Sequence, residues 1–106
     1  MEKIKIEFDY SHGPLWEDKF DVISGEWSTG IPLIDHDQTI KVLNNEASKL
    51  YTSLYEFDNG GCVFNQNKFM EIKKELLSLV QAIIYRLSVI NDGSFVVIDN
   101  ATELLI

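Results

Sequence analysis

An apolar stripe at helical spacing runs through Phe69, Ile72, Leu76, Leu79, Val80, Ile83, Ile84 and Leu87. At 3.6 residues per turn it covers about six turns. The chain has only 106 residues, so one helix of this length sets the dimension of the core, and the other elements have to pack along it. The apolar arc widens where Leu77, Val89 and Ile90 join it, and this C-terminal half is expected to be the most buried helix segment. Asn65 is placed to cap the start, with Phe64 at N′ and Phe69 at N4 in the spacing of a hydrophobic staple. Asn91-Asp92-Gly93 ends the helix. A length near 100 residues gives one domain, 1–106.

A second stripe, Ile40, Leu43, Ala47, Leu50, Tyr51 and Leu54, predicts another helix, with Lys41, Asn44, Asn45, Ser48, Lys49 and Ser53 on its polar side. It is expected to start near Asp35, with Gln38 three residues on, or at Asp37. It is expected to end at Asp58-Asn59-Gly60-Gly61. Lys3 to Tyr10 alternates, with Ile4, Ile6, Phe8 and Tyr10 on one face, and reads as a half-buried strand. Phe95-Val96-Val97-Ile98 is apolar on both faces, the pattern of a central strand. Ser11-His12-Gly13-Pro14, Ser24-Gly25 and Ser28-Thr29-Gly30 are turn material, and Leu15-Trp16 and Phe20–Ile23 are short strand pieces. Ile31-Pro32-Leu33-Ile34 is expected to be extended. Cys62-Val63-Phe64 reads as an apolar link, and Thr102 to Ile106 should dock. This order predicts a two-layer α+β domain, with a mostly antiparallel or mixed sheet and two main helices.

Charge is distributed unevenly. The chain has 17 Asp and Glu against 9 Lys and Arg, a net charge of -8. Residues 7–37 hold Glu7, Asp9, Glu17, Asp18, Asp21, Glu26, Asp35 and Asp37 against the single base Lys19, leaving -7. The other nine acids and eight bases nearly cancel. Such a balance excludes nucleic acid, which needs a basic footprint, and an anionic membrane surface. The start carries no leader pattern, and Leu76 to Ile90 is too short and too polar to span a bilayer. One cysteine makes no internal disulfide. A cytoplasmic location is expected.

Few residues have the spacing that chemistry needs. Asp35-His36-Asp37 with His12 offers metal-ligand types. Three consecutive residues point in different directions, and aspartates at a helix start act as caps. No metal and no cofactor is expected. Glu17, Asp18, Asp21 and Glu26 contain a possible carboxylate pair for acid–base work, but a solvated acidic face explains them more simply. Cys62 is expected to be buried and inert. No catalytic residue is assigned.

Trp16 and Trp27 lie inside the acidic segment, between turns. Tryptophan often plugs the end of a small core, yet it is also enriched at binding hot spots. Aromatic anchors among carboxylates suit a basic protein partner, since an acidic surface speeds its approach and carboxylates can stand in for the phosphates of a nuclease substrate. The partner-binding residues are therefore expected to be Asp9, Trp16, Glu17, Asp18, Asp21, Glu26, Trp27, Asp35 and Asp37.

In size, acidity, α+β pattern and the Trp-containing acidic segment from Asp9 to Asp37, the chain resembles bacterial toxin-immunity proteins of contact-dependent growth inhibition systems. The resemblance implies a cytosolic inhibitor that binds one cognate toxin domain and has no catalysis of its own. The competing expectation is a structural or regulatory subunit that forms a homodimer or lends a strand edge to a partner sheet.

Overall fold

The computed structural model describes residues 2–9 and 13–106. Ten elements follow in order: β1 (Glu2–Ile6), β2 (Lys19–Asp21), β3 (Glu26–Ser28), α1 (Pro32–Asp35), α2 (Gln38–Thr52), β4 (Tyr55–Asp58), β5 (Gly61–Phe64), α3 (Gln66–Ile90), β6 (Phe95–Asp99) and α4 (Thr102–Leu105). This is an α+β fold with two main helices. The strands form three separate pairs: β1 with β6 in parallel, β2 with β3 and β4 with β5 antiparallel.

The long helix forms as the stripe requires. Asn65 accepts a hydrogen bond from the Lys68 amide at 3.0 Å, and the Phe64 and Phe69 rings of the staple stand 5.8 Å apart. Phe69, Leu76, Val80, Ile83 and Leu87 face the core. Of the residues that widen the arc, Leu77 and Ile90 are half-buried, whereas Val89 is exposed. The core runs from Ile4 and Ile6 of β1 and Phe95 of β6 across α3 to Ile34, Ile40, Ala47 and Leu54. At one end Phe8 stacks on Tyr51 at 4.7 Å, and Tyr51, Tyr55 and Phe64 continue the aromatic run. Thr102–Leu105 docks with Leu105 buried.

Several expectations are corrected. Pro32 opens a helical turn instead of continuing an extended segment. The pre-proline restriction falls on Ile31, which is extended at φ -112 and ψ 108, while proline itself suits the first helical position. Asp35 therefore ends α1, and Asp37, the second of the two expected caps, caps α2 by accepting from the Ile40 amide at 3.0 Å.

Helix α2 stops at Thr52, well short of the glycine pair. Tyr55-Glu56-Phe57 alternates and pairs with Cys62-Val63-Phe64 around Asn59-Gly60, a two-residue hairpin turn with Gly60 at φ 92. Cys62 consequently sits exposed on a hairpin strand rather than buried in a link. Asn44, expected on the polar side of α2, is only 5% exposed. The alternation from Lys3 pairs as strand only to Ile6, and Tyr10 lies outside the described residues. β6 is not central: among the described residues it pairs with β1 alone, leaving Val96 and Ile98 partly in water.

Candidate functional site

The acidic segment folds into a projecting hairpin. β2 and β3 pair Lys19 with Ser28, Phe20 with Trp27 and Asp21 with Glu26. The tip is fixed by local polar bonds. Asp21 accepts from the Ile23 amide at 2.9 Å, the Gly25 amide donates to the Asp21 carbonyl at 2.8 Å, and Gly25 takes φ 71. The Ile23 amide, and after it the Ser24 hydroxyl and amide, hold the Asp21 carboxyl below the usual carboxylate range. The apolar side chains of this hairpin are not folded inward. Val22 and Ile23 at the tip are 85% and 94% exposed, and Phe20 and Trp27, with rings 5.1 Å apart, are 51% and 60% exposed.

At the base of the hairpin a groove opens against α2. One lobe, of about 370 Å³, is walled by Glu17, Glu26, Trp27, Asp35, Lys41 and Asn44. The adjoining lobe, of about 410 Å³, is walled by Trp16, Glu17, Asp18, Trp27, Asn45 and Ser48. Glu17, Trp27, Asn44 and Asn45 line both lobes. Burial in the groove wall pushes the Glu17 carboxyl above its ordinary range, and the neighbouring Asp35 charge adds to this. Lys41 and the Asn44 amide act the other way. A carboxylate so placed gains from any cation that enters.

Asn44 ties the groove to the core. Its Oδ1 accepts from the Leu15 amide at 2.9 Å, and its Nδ2 donates to Glu17 Oε1 at 3.3 Å. A Cβ on Gly13 would fall 2.3 Å from Asn44 Oδ1, so the chain entering the groove passes where only glycine fits.

The structure brings together seven of the nine expected partner-binding residues: Trp16, Glu17, Asp18, Asp21, Glu26, Trp27 and Asp35 all line this groove or the adjoining recess under the hairpin. Their roles differ. Asp35 closes the turn into α1 by accepting from the Thr29 amide and hydroxyl at 2.9 and 2.7 Å and from the Gly30 amide at 3.2 Å. Trp16 donates from Nε1 to the Glu7 carbonyl at 2.9 Å and lies under Lys5 Nζ, 4.4 Å from its ring centre.

Asp37 stands apart. It caps α2 and accepts from Arg86 Nη2 at 2.7 Å, which holds its carboxyl below the usual range. Asp9 is also apart, since its charge acts on Tyr51, which burial, Tyr55 and then Asp9 push upward. Ten residues of helix at 1.5 Å each put Tyr51 about 15 Å from Lys41.

Lys41, Asn44, Asn45 and Ser48 were not expected at the site. A signal for Asn44 exists, because Ile40, Asn44, Ala47 and Tyr51 keep helical spacing and all four are buried. Among the described residues no three His, Cys, Asp or Glu side chains converge as a metal site would require. His12 lies outside the described residues. No helix among them is long and apolar enough to cross a membrane. Comparison with protein-family models, curated proteins and solved structures finds no match to this chain.

Proposed function

We propose that this chain is a cytoplasmic immunity protein that neutralises a basic toxin domain, a nuclease in the simplest case, and has no catalysis of its own. The observation that carries the reading is the hairpin of residues 19–28, which holds Phe20, Val22, Ile23 and Trp27 in solvent beside Asp21 and Glu26. A folded chain keeps four large apolar side chains together in water when a partner covers them. Carboxylates around them select a cationic partner. The local bonds that fix the hairpin tip reduce the entropy lost on binding. Glu17 in the groove is a candidate acceptor for a lysine or arginine head group stacked over Trp27.

The experiment is titration calorimetry against the product of the neighbouring gene, at low salt. One-to-one binding with loss of toxin activity is expected, and no measurable heat of binding would remove the proposal.

A further inference from the structure

The β1–β6 pair has a free edge whose polarity can be read from its hydrogen bonds. The Glu2 amide donates to the Ser94 carbonyl and the Asn100 amide to the Ile6 carbonyl. In a parallel ladder, main-chain groups alternate between the two sides. Even-numbered residues of β6 therefore face β1, and Phe95, Val97 and Asp99 direct their amides and carbonyls away from it. The other edge of β1 is occupied: Leu15 bridges to Ile6, and the Trp16 amide donates to the Lys5 carbonyl. The outer edge of β6 pairs with no strand among the described residues. Asn91 Nδ2 donates to the Phe95 carbonyl at 3.0 Å, which leaves Val97 at the centre of the open edge.

The sheet face turned from the core is also uncovered. Lys3 lies beside Val96 and Lys5 beside Ile98 in the register, and Val96 and Ile98 remain 43% and 40% exposed. Parallel pairs are found almost only with both faces covered, and two strands alone are marginal.

We propose that β6 pairs with β6 of a second copy of this chain, antiparallel about a two-fold axis at Val97, to give one four-stranded sheet. The pairing is self-complementary. Val97 faces Val97 and exchanges both main-chain hydrogen bonds, while Val96 falls opposite Ile98 of the second copy on the outer face. In such non-hydrogen-bonded positions the side chains approach most closely. Four β-branched side chains thereby cover one another.

Charge permits a second copy on this surface. Two chains of net charge -8 repel, so they can meet only where the acids are few. The outer face of the pair carries Lys3 and Lys5, and Asp99, the one acid on β6, falls opposite Phe95 rather than opposite itself. Asp99 is also engaged by the Ala101 and Thr102 amides. The inference is independent of the toxin reading, because it uses neither the hairpin nor its groove.

Sedimentation equilibrium of the full chain tests it. A mass twice that of the 12.2 kDa chain is expected. Val97→Pro removes an amide that points away from β1, so the fold should survive while the dimer is lost. Ile98→Glu gives Lys5 a cross-strand partner within the monomer but places a carboxylate against Val96 of the second copy, and it should also sediment as a monomer. Circular dichroism of each variant verifies that it is folded. A monomeric wild type, or a dimer that survives both substitutions, would overturn the proposal.

Discussion

The segment of residues 17–28, which contains the hairpin, and the turn of residues 29–37 belong to the same acidic stretch, yet they place their charge differently. In the turn, Asp35 satisfies three donors from Thr29 and Gly30, and Asp37 caps α2 and binds Arg86. These carboxylates hold the backbone. In the hairpin region, Asp18 and Glu26 make no salt bridge among the described residues. Glu17 sits against Asp35 in a groove that raises its proton affinity. The first set supports folding; in the second, Asp21 holds the hairpin tip, Glu17 alone opposes folding slightly, and Asp18 and Glu26 add to an acidic surface. Local charge density therefore does not identify a site, and what each carboxylate touches does.

The comparison breaks most visibly under charge reversal. Changing Glu17, Asp18 and Asp21 together to lysine is expected to weaken toxin binding by about a thousandfold, because like charges across an interface cost several kcal/mol. The melting temperature should fall only modestly, because the bonds lost are local ones, from the Ile23 amide to Asp21 and from the Asn44 amide to Glu17. The same reversal at Lys73 and Lys74 should leave binding intact. Calorimetry on the two variants checks this, and the opposite ranking would move the interface to α3.

Asp37→Ala should show the reverse pattern. Loss of the cap costs about 1–2 kcal/mol, and the ion pair adds little because Arg86 stays partly in water, with its side chain 38% exposed. Binding measured on folded protein should be unchanged. The carboxyl has a lowered pKa in the fold, so its contribution is present above the unfolded value of 3.8 and is lost as pH falls through the lower folded value. Denaturant titrations at several acidic pH values should therefore converge for wild type and Asp37→Ala.

The smallest effect sharpens the contrast. Glu17 has a raised pKa, so its contribution to stability is present below the unfolded value of 4.5 and is lost as pH rises through the folded value. Glu17→Gln should raise the melting temperature slightly at neutral pH, with no gain at pH below 4.5, while weakening toxin binding. A variant that lost stability at neutral pH would place Glu17 with the structural acids.

Both main helices, the Asn65 cap and its staple were legible in the sequence because each rests on spacing along one element. The β4–β5 hairpin was not, since Leu50, Tyr51 and Leu54 continue a helical period up to Tyr55, and the Asn59-Gly60 turn looks like a helix stop. Nor was the solitary pairing of β6: an apolar strand reads as central whether or not neighbours exist. At the site, the segment and its tryptophans were legible from charge and composition. The split between structural and surface acids was not, because it depends on Arg86, 49 residues from Asp37, and on Asn44, 27 residues from Glu17.

On the proposed function, the exposed acids of residues 17–26, rather than the acids of the turn, draw in a basic toxin domain. Stopped-flow association of that domain with the wild-type chain, followed from low to high salt through the fluorescence of Trp16 and Trp27, is the test. An association rate approaching about 10⁸ M⁻¹s⁻¹ at low salt and falling steeply as salt is added is expected, with the dependence flattened by the Glu17, Asp18 and Asp21 reversal and retained in Asp37→Ala. A rate indifferent to salt, or one whose salt dependence is lost with Asp37 and kept in the hairpin variant, would contradict it.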